Sequence, residues 1–406
     1  MNVRFAPLTV PAPWRLWRRE RAAITVGDVA AEARPDRRVV SLRPTGRRTG
    51  YYVGLYVVVA VLSMLGLVMV LSASAASALK EQGSSWYYFE RHAVWLVVGF
   101  VALQATMRID YRVWQRLARP IFLVSVTLLT AVLIPGVGVT VNGSTRWLGR
   151  GALTVQPSEI AKLALVVFCA DLLARRPLWS AQLTMRPVLV VLGYVSFLLM
   201  LQPNLGTTII VATIVLTILF CYGLPLRNFL PIVVAGITLT ALAAVAEPYR
   251  MRRLVGFRDV WHNRGGDGYL TFQSLISISN GGITGVGLGA SRGKWGYLPF
   301  AHTDFMFSII AEELGLIGAL TVILLFLAIG VLGIATASHA PDQFGMLMAM
   351  GITSWILVQA FMNIGVTLGL LPVTGVPLPF LSSGGSSLVV TLAAFGILLN
   401  IARHAR

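Results

Sequence analysis

Charge is the first thing this 406-residue chain lacks. Charged residues make up 12% of it, about half the share of an ordinary soluble protein. A hydrophobic content of 56% and a mean hydropathy of +0.76 leave more apolar surface than a soluble core hides, so most of the chain belongs in lipid. Cysteine is nearly missing. Cys169 and Cys221 both fall inside apolar runs, which excludes a disulfide framework and a cysteine-based metal site. The five histidines (His92, His262, His302, His339 and His404) are scattered without a metal-ligand spacing. Acids are scarce too, 16 against 33 Lys and Arg, for a net charge of +17. That excess is distributed as in a membrane protein, so no nucleic-acid partner is expected.

What is present is a series of long apolar runs. A helix crossing the hydrocarbon core needs about 20 mostly apolar residues. Such runs lie near 51–73, 93–107, 121–139, 157–174, 187–201, 207–224, 229–246, 305–335, 344–364 and 385–402. They predict an all-α membrane protein with about ten transmembrane helices in residues 51–406. Residues 1–50 hold eleven arginines, no lysine and four acids, and are expected to form a disordered cytoplasmic tail. No apolar stretch precedes residue 51, so a signal peptide is not expected. The tail, the 108–120 loop (Arg108, Arg112, Arg116, Arg119), the 175–186 loop (Arg175, Arg176, Arg186) and the end (Arg403, Arg406) share one side by parity. The positive-inside bias makes that side cytoplasmic, with both termini on it. The large connection between helices 7 and 8, 247–303, then lies outside although it holds Arg250, Arg252, Arg253, Arg258, Arg264, Arg292 and Lys294. Those cations either rest on anionic headgroups or face a bound anion.

Four polar motifs fall on the outer side. In RWLGRGALTVQPSEIAK (146–162), Pro157 suits a first helical turn. Glu159 and Lys162 then share one helical face, and an ion pair at membrane depth is either functional or a lock between helices. QPNLGTT (202–208) reads as a tight turn. The longest motif is SNGGITGVGLGASRGKWGYLPFAHTDFMFSIIAEELGLIG (279–318). Its glycines follow no strand and suit irregular backbone beside a cavity. Asp304 either caps the eighth helix or serves as a general base. Glu312 and Glu313 follow at a depth where carboxylates need buried partners. Last comes NIGVTLGLLPVTGVPLPFLSSGGSS (363–387), whose prolines make an extended or re-entrant segment. Its serines and glycines open the last helix as an anion site or as small-residue packing.

These four motifs, in this order and spacing, resemble the SEDS family of bacterial cell-wall proteins (shape, elongation, division and sporulation), over residues 51 to about 402. The ending Asn400, Ile401, Ala402 and Arg403 is more similar to its division and sporulation branch. The resemblance implies a ten-helix protein of the bacterial cytoplasmic membrane. It implies polymerisation of lipid II, an undecaprenyl-diphosphate-linked disaccharide peptide, into glycan strands. A class B penicillin-binding transpeptidase and other division or elongation membrane proteins are the implied partners. Asp304, in HTDF, matches the family's essential acid. Arg146, Gln156, Ser158, Glu159, Lys162, Lys294, His302, Ser382, Ser386 and Ser387 are the candidate substrate-binding residues. No cofactor is clearly implied beyond a divalent cation, Mg²⁺ or Mn²⁺. Phe300 stands where the family usually has Glu, Asn204 where it has Asp, and Ser383 where it has Tyr. With no acid at 300, the Asp304 pKa is expected near its ordinary value of ~3.9 unless burial intervenes. Two rival readings are a lipid II flippase, which wants polar groups near the midplane, and a non-catalytic division scaffold.

Overall fold

The computed structural model describes residues 50–141, 144–150, 153–176, 181–258 and 260–405; the Arg-rich tail lies outside the described residues. Helices follow the apolar runs. The first are α1 (Gly50–Gln82), α2 (Tyr87–Arg108) and α3 (Tyr111–Ala131). After a small sheet come α4 (Pro157–Ala174), α5 (Ala181–Leu201), α6 (Leu205–Tyr222) and α7 (Leu226–Val245). The large connection contains α8 (Pro248–Arg258) and α9 (Tyr269–Gly281), and α10 (Met306–Ser338), α11 (Gln343–Thr367) and α12 (Gly385–His404) complete the chain. Among the described residues, α1, α6, α7, α10, α11 and α12 are each long and apolar enough to cross a membrane, and α2 and α3 pass the same test only when taken together, across a 113° bend. The charged residues Glu159, Lys162 and Asp171 keep α4 out of that group.

One sequence expectation needs correction here. The supposed 108–120 loop is helical: the chain breaks only at Ile109–Asp110, between α2 and α3. The Asp110 side chain accepts from Arg112 N and starts α3. Buried Asn400 takes both loose ends of the break, accepting from Tyr111 N at 3.0 Å and donating to the Met107 carbonyl at 2.9 Å. A buried break needs such partners, because unpaired backbone groups cannot turn to water there. Between α3 and α4 the chain also forms a three-stranded antiparallel sheet, β1 (Gly138–Val141), β2 (Ser144–Arg150) and β3 (Leu153–Val155), in order β1-β2-β3. It adds a small β element to a predominantly helical fold.

Side-chain bonds define two ends of the bundle. At one, Arg403 donates to the Tyr52 hydroxyl (3.0 Å) and Tyr111 donates to Asp342, so the start of α1 and the end of α12 meet. At the other lie the sheet, the connection between α7 and α10, and the segment 368–384. There α10 breaks at Gly315, whose φ of +66° is open to glycine and costly to other residues. The break frees the Glu312 and Glu313 carbonyls to accept from Val286 N (3.0 Å) and Gly287 N (3.1 Å). Leu316 N and Ile317 N donate back to Gly282 and Ile283. The connection is thereby stitched to the helix, and its far end carries Asp304.

Candidate active site

Asp304 is held by a turn in which Thr303 N, Asp304 N and Phe305 N all donate to the Phe300 carbonyl, at 3.0–3.3 Å. Phe300 itself sits at φ +59°, a left-handed conformation that costs a non-glycine residue about 1–3 kcal/mol and tends to mark functional sites. The cap position of α10 is Phe305, with no side-chain cap bond. Asp304 therefore does not cap the helix, and the capping alternative fails.

Its carboxyl faces the backbone of Gly375, where an added Cβ would stand 3.8 Å from Oδ2. Two guanidiniums act on it, Arg253 from α8 and Arg146 from β2. Each is pinned to main chain: Arg253 donates to the Val373 carbonyl at 2.9 Å, and Arg146 to Gln202 O at 2.9 Å and to Pro203 O. Burial pushes the Asp304 carboxyl up to about 6, against the opposing pull of Arg253 and Arg146. Burial does intervene, so the value does not stay near 3.9.

The QPN turn supplies one wall. Asn204 accepts from Thr207 N at 3.3 Å and caps α6. A Cβ on Gly206 would lie 2.8 Å from Val376 Cγ2, so the start of α6 presses on the strand of chain beside Asp304. The turn reading of that motif fits its geometry.

A second cluster is sealed. Glu159 and Lys162 pair at 2.8 Å, with side chains 4% and 1% exposed. Ser387 donates to the other Glu159 oxygen at 2.8 Å. Lys162 also donates to Gln359 Oε1 at 2.7 Å and lies 4.8 Å above the Trp355 ring. Nearby, Ser386 accepts from Gln156 N at 3.2 Å and Ser382 accepts from Leu378 N at 2.9 Å. The Ser158 hydroxyl is buried without a hydrogen-bond partner.

Helix α11 joins the two clusters. Gln359 Nε2 donates to Pro377 O at 3.0 Å; one turn on, Asn363 Nδ2 donates to Val376 O at 2.8 Å and to Asp304 O at 2.7 Å. Sequence reading missed Gln359 and Asn363 as site residues. Their signal was visible: Trp355, Gln359, Asn363 and Thr367 recur every four residues as a polar stripe in an apolar helix.

Lys294 lies elsewhere. Its ammonium is taken up by Glu313 (3.1 Å), Ser72 (3.2 Å) and the Gly289 carbonyl (2.6 Å). It borders a groove of about 430 Å³ shared with Ser72, Leu79, Leu288 and Trp295. Glu312 accepts from the Ser291 hydroxyl (2.6 Å) and Arg292 N (3.1 Å). Both deep carboxylates thus have partners, and those partners fix the loop. The His302 ring stacks on Tyr88 with centroids 4.7 Å apart, while its carbonyl accepts from Ser383 N at 2.9 Å. Burial lowers the His302 pKa, with Glu81 opposing. Among the described residues no three His, Cys, Asp or Glu side chains converge to hold a metal ion. The residues around Asp304, two of them cationic, do not make a protein cage for Mg²⁺ or Mn²⁺.

A family model described as "Cell cycle protein", FTSW_RODA_SPOVE, matches residues 53–406. The chain belongs to this family. It is 43% identical over 344 residues to the "Probable peptidoglycan glycosyltransferase FtsW" of Nitrosomonas europaea, covering 83% of this chain and 89% of that protein. Stage V sporulation protein E of Bacillus subtilis is 38% identical over 364 residues, covering 89% of this chain and 100% of the relative. Among solved structures, one described as "Structural coordination of polymerization and crosslinking by a peptidoglycan synthase complex" superposes with a TM-score of 0.72 at 31% identity. It covers 86% of this chain and 97% of that one. The rod shape determining protein RodA of Thermus thermophilus gives 0.64 at 31% identity, covering 86% and 96%. As an FtsW/RodA/SpoVE protein with several membrane-spanning helices, the chain is a multi-pass membrane protein.

Proposed function

We propose that this chain is a peptidoglycan glycosyltransferase that polymerises lipid II at the outer face of the bacterial cytoplasmic membrane, in cell division or shape control. Its proposed partner is a class B penicillin-binding transpeptidase. Relatives named as peptidoglycan glycosyltransferases support the activity, and the likeness to a complex that polymerises and crosslinks supports the partner. The observation that carries the chemistry is Asp304, a carboxyl raised to about 6 by burial and flanked by two arginines. A general base works best with a pKa near the operating pH.

In the proposed step the 4-hydroxyl of the acceptor's GlcNAc attacks the anomeric carbon of the growing chain's terminal MurNAc, with inversion. Asp304 takes the hydroxyl proton as the new C–O bond forms. The bond from the anomeric carbon to the diphosphate oxygen breaks, and undecaprenyl diphosphate leaves with the electron pair. Arg146 and Arg253 offset the charge that develops, as preorganised cations do at a desolvated site. No step is assigned to a metal. The helices explain themselves on this reading, since the substrate's prenyl chain is held in lipid.

Purified protein given fluorescent lipid II tests the reading: glycan ladders are expected. Label protected inside vesicles without ladders would make the protein a flippase, and neither result would make it a scaffold.

Phe300 gives a separate expectation. What it contributes to Asp304 is a backbone carbonyl, while the residue is 47% exposed. Phe300→Glu should therefore fold normally and keep or raise polymerisation at neutral pH, with a stronger dependence on Mg²⁺ or Mn²⁺. Initial rates across a metal titration measure this. A large loss from folded protein would show that the ring itself shapes the site.

A further inference from the structure

Asn363 is an expensive residue for its place. It is 1% exposed in a helix that is otherwise largely apolar, and its Oδ1 is buried without a hydrogen-bond partner. A buried orphan acceptor costs about 1–3 kcal/mol, and an apolar side chain of the same volume would avoid that cost. The amide cannot be turned round to relieve it. Both neighbours of Nδ2 are carbonyls, Asp304 O at 2.7 Å and Val376 O at 2.8 Å, and carbonyls only accept. Both amide protons are therefore committed.

The two anchored carbonyls belong to two neighbouring segments, the facing walls of a slot only in the sense that the Asp304 carboxyl of one stands 3.8 Å from a Cβ placed on Gly375 of the other. One belongs to Asp304. The other is next to Gly375, whose backbone faces the Asp304 carboxyl, and three residues from Val373, whose carbonyl holds Arg253. The distance between base and cation is thus set through residues 373–376, and Asn363 is the side chain that ties this segment to Asp304.

We infer that Asn363 is a positioning residue that holds the Asp304 carboxyl in register with Arg253 by tethering both walls of the slot; the inference rests on the glycosyltransferase reading. It acts through Asp304 and need not touch substrate. The neighbouring Gln359 ties Pro377 to Lys162 and does not reach Asp304, so the two amides divide the segment between them.

Asn363→Leu keeps the branched shape and heavy-atom count of the side chain, adds bulk, and removes both donors. A displacement of about 1 Å at a reacting group can cost about 10² in rate. We expect kcat on lipid II to fall about that much, with KM and the unfolding temperature little changed. The charged groups acting on Asp304 are Arg253 and Arg146. With the walls unpinned and water admitted, the acidic limb of the kcat profile should also move to lower pH. Asn363→Ser, a smaller change for use if the leucine variant does not fold, removes at least one tether and should fall between the two. Wild-type kcat in a folded variant would overturn the inference alone. A loss of kcat matched by loss of folded protein, with the pH limb unmoved, would reduce Asn363 to a structural role and overturn it too. A wild-type protein that makes no glycan would instead remove the glycosyltransferase reading, and this inference with it.

Discussion

Asp304→Asn is expected to lower lipid II polymerisation about 10²–10⁴-fold, the usual contribution of a general base, while leaving the fold intact. Asparagine keeps the size and removes the basicity. The side chain does not cap α10, so no helix stability is at stake. The pH dependence has a definite sign. The base works ionised, so the wild-type rate should rise as pH passes through about 6 and level off above it. Stability runs the other way. A carboxyl whose folded pKa lies above its unfolded value stabilises the fold at pH below the unfolded pKa, about 4, and loses that contribution as pH rises through about 6. At neutral pH Asp304 is thus a burden on the fold, by at most about 3 kcal/mol. The asparagine variant should unfold at a slightly higher temperature while turning over far more slowly. Near-normal turnover would take Asp304 out of the chemistry; a matched loss of rate and folded protein would make it structural.

The apolar runs made most of the helices legible, because span length and hydropathy are local properties of the sequence. The misreadings came where tertiary partners override local signals. Arg112, Arg116 and Arg119 looked like loop residues, but Asn400, almost 300 residues away, satisfies the break at 109–110 and lets α3 begin at Tyr111. The 138–155 sheet is short and lies between two apolar runs, so its alternation was lost beside stronger signals. At the site, the motifs located Asp304, Glu159 and Lys162, and they left open whether Asp304 is a cap or a base and what the outer cations face. Hydrogen bonding decides the first: Asp304 is not a cap. The second, what the outer cations face, depends on the paths of residues 247–303 and of the 146–162 motif. Parity and composition name seven candidates in 247–303 without ranking them, and Arg146 lies outside that stretch. Arg253 and Arg146 come to Asp304 because main-chain carbonyls at 373, 202 and 203 pin them there, and no periodicity encodes such contacts.

The Glu159–Lys162 pair leads to the other large effect. Removing one partner of a buried ion pair leaves an uncompensated charge and costs about 3–5 kcal/mol. Lys162→Met leaves Glu159 with the Ser387 hydroxyl alone and also takes a donor from Gln359, so unfolding in detergent should occur at a much lower temperature. The double variant Glu159→Gln/Lys162→Met removes both charges and should recover most of that loss, since contacting residues are strongly non-additive. If the two single changes simply add, the pair contributes no coupling energy despite its 2.8 Å contact. Activity of the double variant then decides the role of these residues. The pair is sealed, with every charged oxygen and the ammonium already engaged by protein, so it has no free group to offer a diphosphate in this state. A folded double variant that still makes glycan would make the pair a lock between α4, α11 and α12. A folded double variant that binds lipid II poorly would show that the seal opens to admit substrate, and would return both residues to the binding site.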